Sequence, residues 1–156
     1  MITINAPLKG RAVPLAELSD PAFASGMLGI GLGILPEEGK VYAPANGTVK
    51  IFPTKHAITM VTDDGVKLII HIGINTVNME GKGFKPKVKD GDTVKTGQLL
   101  MDFDIKKITK AGYSTETPII ITNHKEYGGV EMTTAENVTP SDMLFTITKN
   151  KGDDFS

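Results

Sequence analysis

The chain has 156 residues, with 17 lysines and arginines against 18 aspartates and glutamates. That is room for one domain with a real core, and near-neutrality without a basic stripe interleaved with aromatics argues against nucleic acid as the partner. Cysteine is absent, which excludes disulfides and thiolate metal sites and is compatible with a reducing cytoplasm, the expected location.

No apolar run approaches membrane-spanning length, so no direct membrane insertion is expected, and the N-terminus lacks a charged-then-apolar signal pattern. No linker or low-complexity segment divides the chain, so residues 1–156 are expected to form a single domain. Seventeen glycines, nine prolines and many short β-branched runs predict an all-β fold with frequent turns. In chain order, strands are expected at Ile2–Asn5, Gly31–Leu35, Lys40–Ala43, Gly47–Pro53, Ala57–Val61, Lys67–Ile72, Leu99–Phe103, Ile119–Thr122 and Leu144–Thr148. Pro14, Pro21, Pro36, Pro44, Pro86, Pro118 and Pro140 stand between them as punctuation. One short helix is expected after Asp104, which can cap Ile105–Lys110 before Gly112 stops it, and Pro14–Phe23 has room for another turn. The glycine run Gly26–Gly33 superficially suggests a dinucleotide loop, but a β-prone Ile34-Leu-Pro36 follows where a helix is needed. Its glycines read as turn and close-approach residues.

Ala6-Pro-Leu-Lys-Gly10 recurs as Ala43-Pro-Ala-Asn-Gly47, each before a β-prone run, with a related rhythm in Gly91–Leu100. The recurrence points to an antiparallel β-sandwich or flattened barrel built on a duplicated β motif.

The most informative stretch is Pro53–Gly73, in which His56 and His71 flank the turn Thr62-Asp63-Asp64-Gly65. If all four turn residues form the loop, Val61 pairs with Val66 and His56 falls directly opposite His71. Opposed side chains on one sheet face have Cβ atoms roughly 4.5–5.5 Å apart, close enough for two imidazoles to share one phosphoryl group or one metal ion. A two-residue Asp64-Gly65 turn keeps both histidines on one face, displaced diagonally. A three-residue loop puts them on opposite faces.

Phe23–Pro36, Val41-Tyr-Ala-Pro44, Gly47-Thr-Val49, Pro53-Thr-Lys-His-Ala57, Asp64-Gly-Val66, His71-Ile-Gly-Ile-Asn-Thr-Val77 and Gly81-Lys-Gly-Phe84 occur in that order. Together they closely resemble the glucose-type enzyme IIA domain of the bacterial sugar phosphotransferase system, from about Ala6 to about Lys149. The resemblance implies an antiparallel β-sandwich acting as a phosphotransferase through a phosphohistidine. It implies phosphate taken from the histidine phosphocarrier protein and passed to the IIB domain of a sugar permease. It further implies that His71 is phosphorylated, that His56 is its companion and that Thr54 positions His56. Regulatory contacts with other transporters or kinases are also compatible with it. No cofactor and no metal are required.

The residue chemistry agrees. A neutral imidazole is a competent nucleophile near pH 7, and phosphoryl transfer needs mainly positioning and charge neutralisation. Thr54 lies two residues before His56, where its hydroxyl can fix the ring, and Gly73 lies two after His71, where a missing side chain would let a donor approach. Met27, Ile30, Ile69 and Val77 are the expected apolar docking surface. Ile30 and Asn75 stand where relatives of this type are read to carry aspartates, so docking is expected to rely less on charge. His124 reads as a solvated loop residue without a role.

Two other readings compete. The facing histidines could ligate zinc in a hydrolase, but such a site needs a third protein ligand and the chain has no His-x-His. The Gly91–Leu100 rhythm suggests a biotin- or lipoyl-type carrier, but no acceptor lysine flanked by methionine stands there.

Overall fold

Alternating β-branched residues set the strands, and glycine or proline ends most of them. The computed structural model describes Met1–Lys149, so residues 150–156 of the expected 1–156 domain lie outside the described residues. The strands are β1 (Ile2–Asn5), β2 (Gly10–Pro14), β3 (Ile30–Pro36), β4 (Lys40–Tyr42), β5 (Gly47–Ile51), β6 (Ala57–Thr62) and β7 (Lys67–His71). Then come β8 (Phe84–Pro86), β9 (Thr93–Val94), β10 (Leu99–Phe103), β11 (Thr117–Ile121), β12 (Gly129–Met132), β13 (Asn137–Val138) and β14 (Met143–Thr148). Two short helices interrupt them, α1 (Pro21–Ala24), capped by Asp20, and α2 (Ile105–Lys110), capped by Asp104.

All ladders are antiparallel, and they form one eight-stranded sheet, β13-β2-β3-β11-β7-β6-β5-β9, and two three-stranded sheets, β1-β14-β12 and β4-β10-β8. The order of the large sheet reads as a palindrome. β2 and β5 are equivalent, as are β3 and β6, β11 and β7, and β13 and β9. The small sheets match in the same way. One copy of the motif, β4 to β10, is thus inserted into the other, which runs from β1 to β3 and resumes at β11. This is the duplication that the Ala-Pro-x-x-Gly recurrence announced. The two glycines of the recurrence do the same work: a Cβ at Gly10 would come within 2.1 Å of Leu35 O, and one at Gly47 within 2.3 Å of Val61 O. Each lets its strand close against its neighbour.

The main core lies between the large sheet and the small ones, with Ile58, Met60, Leu68 and Ile70 on one side and Val41, Phe84, Met101 and Phe145 on the other. A second, smaller cluster of Val13, Leu15, Leu18, Phe23, Ile74 and Ile120 covers part of the outer face of the large sheet. The segment between β2 and β3 supplies Leu15, Leu18 and Phe23 to it. Gly33 belongs to this packing, since a Cβ there would come within 2.6 Å of Leu18 Cδ2.

Two expectations need correction. Pro118 is not punctuation: it lies inside β11, paired with Gly33 of β3, while the ladder from β11 to β7 begins one residue later at Ile119 and Ile70. The missing amide therefore falls where β7 asks for no bond from it. The turn between β6 and β7 is also not the four-residue loop. Thr62 N donates to Val66 O at 2.9 Å and Val61 pairs with Lys67, leaving the three residues Asp63, Asp64 and Gly65 as the loop, with Gly65 at φ 89°. This is a three-residue hairpin with glycine in the left-handed position. Val66 N donates to Thr62 Oγ1, Asn123 Nδ2 to Gly65 O and Tyr127 OH to Asp64 O, so distant side chains hold this loop length.

Candidate functional site

With that register Ala57, not His56, pairs with His71, and regular alternation would send the two histidines to opposite faces. They meet nonetheless. Their ring centroids are 4.8 Å apart and the planes cross at 81°, edge to face. Strand geometry ends at both residues. The chain enters β6 through Lys55 at φ 63°, held in a tight turn by Lys55 N donating to Phe52 O at 2.7 Å, and it leaves β7 through Gly73 at φ 82°. His56 still belongs to the ladder, since its carbonyl accepts from Ile72 N at 2.7 Å, but its side chain is freed from the strand's alternation.

Each ring is anchored through Nδ1. His71 Nδ1 lies 2.7 Å from Gly73 O, and a carbonyl only accepts, so Nδ1 carries the hydrogen and the neutral ring presents a bare Nε2. His56 Nδ1 lies 2.7 Å from Thr54 Oγ1. The expected Thr54–His56 contact is present, although Thr54 sits in the turn and not on a strand face. Gly73 has a role in the fold: a Cβ there would come within 2.5 Å of Thr76 Cγ2 and 2.8 Å of Ser114 O, so the glycine lets the loop close inward.

His56 is 3% exposed and His71 is half-buried. Burial pushes the His56 ring down to about 4, helped by the neighbouring His71 and opposed by hydrogen bonding at Thr54. Burial also lowers His71, opposed by the Gly73 carbonyl and by the carboxylate of Asp20. Both rings are therefore neutral at pH 7.

The surroundings differ in part from expectation. Phe23 of α1 packs on His71 at 4.9 Å, and Phe52 meets His56 edge-on at 5.7 Å. Neither was singled out from sequence, although an aromatic four residues before His56 that remains 39% exposed is a recognisable sign of a working surface. Met27, Val77 and Asn75 are exposed, and Ile69 is half-buried on the same face of β7 as His71. Ile30 is half-buried at the start of β3, where it pairs with Ile121 and packs against the main core. The acid beside His71 is Asp20, which also caps α1 by accepting from Ala22 N at 2.9 Å. Asp20 was not singled out from the sequence. Among the described residues no group of three or more His, Cys, Asp or Glu side chains is placed to hold a metal, so the zinc reading lacks its third protein ligand.

Residues 2–127 match the family model of the phosphoenolpyruvate-dependent sugar phosphotransferase system, EIIA 1. The chain belongs to that family. The glucose-specific EIIA component of Oceanobacillus iheyensis is 49% identical over 123 residues, covering 78% of this chain and 74% of that protein. A solved glucose permease IIA from Mycoplasma capricolum superposes with a TM-score of 0.80 at 34% identity, covering 92% of this chain and 94% of the other. The beta-glucoside-specific EIIBCA component of Halalkalibacterium halodurans is 44% identical over 147 residues, 94% of this chain. The chain spans only 23% of that relative's length. No helix among the described residues is long and apolar enough to cross a membrane.

Proposed function

We propose that this EIIA domain accepts a phosphoryl group on His71 from the histidine phosphocarrier protein and hands it to the IIB domain of a sugar permease in the cytoplasm, so coupling uptake to phosphorylation. The observation that carries this reading is the edge-on histidine pair with the Nδ1 hydrogen of His71 held by Gly73 O. That anchor selects Nε2 as the nucleophile. Its lone pair forms the new P–N bond as the donor's P–N bond breaks, and the electron pair of the broken bond returns to the donor imidazole. Nδ1 keeps its proton, donated to the Gly73 carbonyl, so the phosphorylated ring carries a positive charge and remains able to leave. With the Thr54 hydroxyl donating to Nδ1 of His56, that ring carries its hydrogen on Nε2 and donates it to a phosphoryl oxygen. Phe52, Val77 and Met27 form the apolar rim that dries the contact when a partner docks.

Mass spectrometry after incubation with a phosphoenolpyruvate-driven relay tests the assignment. His71→Ala should carry no acid-labile phosphate. His56→Gln should still accept phosphate but pass it on roughly 100-fold more slowly, the usual order of loss when one oxyanion donor is removed. Full onward transfer by His71→Ala would overturn the proposal.

A further inference from the structure

Charge is divided unevenly over this molecule. Between Lys82 and Lys110 the sequence carries eight lysines against four aspartates, although the whole chain is −1. The four aspartates are engaged locally. Asp90 accepts from Ile51 N at 2.6 Å, Asp92 from Lys89 N at 2.8 Å and Asp104 from Lys107 N at 3.0 Å. Asp102 pairs with Lys40 at 3.0 Å and Lys87 at 3.3 Å, and the bond to Lys40 holds its carboxyl below the usual range. Lys82, Lys85, Lys106, Lys107 and Lys110 form no ion pair among the described residues.

Lys85, Lys106 and Lys107 share one side of the fold with the paired Lys40 and Lys87. Met101 and Phe103 of β10 are buried in the core, so Asp102 between them points outward, with Lys40 and Lys85 beside it on β4 and β8. Lys106 and Lys107 extend the same face from α2, and with Lys85 they border an open groove of about 590 Å³. His71 stands on the outer face of the eight-stranded sheet, across the core from this surface. The β4-β10-β8 face and the histidine face thus lie on opposite sides of a sandwich core roughly 10 Å thick, while α2 lies at the edge, with Lys107 beside Asn78, Met79 and Glu80.

The lysine face also lacks what a protein interface needs at its centre. The large exposed hydrophobic residues are Met1, Met27, Leu28, Phe52, Val61, Val77 and Met143, and none of them belongs to it. Cations without apolar anchors suit a broad anionic surface held by charge alone. We propose that the β4-β10-β8 face, with α2, docks the domain on anionic phospholipid headgroups without insertion, leaving His71 turned toward its exchange partners.

Co-sedimentation of the 156-residue protein with vesicles tests this directly. Vesicles of mixed phosphatidylglycerol and phosphatidylcholine should bind it at low salt and release it at high salt, and pure phosphatidylcholine should not bind it. The triple variant Lys85→Gln, Lys106→Gln, Lys107→Gln should bind on the order of 100-fold more weakly, as expected for three lysines removed near such a surface. Its rate of phosphorylation in solution should be unchanged. Circular dichroism establishes that the variant folds; should it not, the single variants are each expected to weaken binding about 5-fold. Three results would overturn the proposal: no binding to anionic vesicles, equal binding to neutral ones, or anionic binding that survives loss of the three lysines. Protection of Lys85 and Lys106 from acylation by an acidic protein but not by vesicles would overturn it equally.

Discussion

The buried His56 ring should make this domain sensitive to mild acid in a window that carboxylates do not explain. In the folded chain the ring sits near 4 against an ordinary value of 6.5, with burial the chief cause. Between those two values the unfolded chain binds a proton that the folded one refuses, so stability falls as pH drops from about 6.5 towards 4 and levels off below. At roughly 1.36 kcal/mol for each pH unit the full effect is at most about 3 kcal/mol, and between pH 7 and pH 4.5 it is about 2 kcal/mol. His71 pulls the same way, because burial lowers it too. Carboxylates such as Asp102 act mainly at lower pH and are common to any variant. The clean comparison is therefore wild type against His56→Gln, by urea denaturation at several values between pH 7 and pH 4.5. Wild type should lose about 2 kcal/mol more than the variant over that range. Parallel curves for the two proteins would refute the reasoning, as would an NMR titration of His56 with its midpoint near 6.5.

Phosphorylation should reverse the tuning of His56: a dianionic phosphoryl group on His71 favours the charged ring, so its titration midpoint should rise in an NMR comparison with and without phosphate. Gly73→Ala should cost on the order of 1–3 kcal/mol in thermal or chemical unfolding, because the residue is at φ 82° and the new methyl meets Thr76 and Ser114. Asn75→Asp adds a carboxylate on an exposed residue two positions beyond Gly73, so phosphorylation should speed up at low ionic strength and fall more steeply with salt. Ile30→Asp should instead lower stability by about 1–3 kcal/mol without adding salt sensitivity, since that side chain packs on the core.

Much of the fold was legible because the strands are written locally. β1 and β10 fall at the expected residues, and the Asp104 cap and the Gly112 stop bracket α2. The strands that escaped are β2, β8, β9, β12 and β13, which are short, polar or end in proline and owe their form to neighbours far away in sequence. The hairpin length escaped for a similar reason. Asn123 and Tyr127 decide it from more than fifty residues away, and no local pattern announces them. At the site, the motifs pointed to the two histidines and Thr54, and the structure brings those three together. The geometric argument that joined the histidines failed on the three-residue loop, and the turn that brings the rings together anyway, through Lys55 in a left-handed conformation, is not visible as a pattern. Asp20 was not singled out at all, because its effect on His71 depends on the packing that brings α1 and Phe23 onto that ring.

The duplicated fold could have carried two equivalent sites, and the ladder register shows why it carries one. Ile70 of β7 pairs with Ile119 of β11, and these two residues are each other's counterparts across the duplication. Carried one residue further, His71 corresponds to Ile120, and through β6 and β3 His56 corresponds to Ile30. The difference lies in the connections. β5 and β6 are joined by the short turn that holds Thr54 and His56, whereas β2 and β3 are joined by the longer segment that holds α1. That segment lays Leu18 and Phe23 over Ile120, which is 1% exposed, and the equivalent position is closed. The same Phe23 then reaches the neighbouring strand and packs on His71. One half of the repeat has thus become the wall of the other half's site, so the burial that lowers the affinity of His71 for a proton comes in part from the copy that lost its opening.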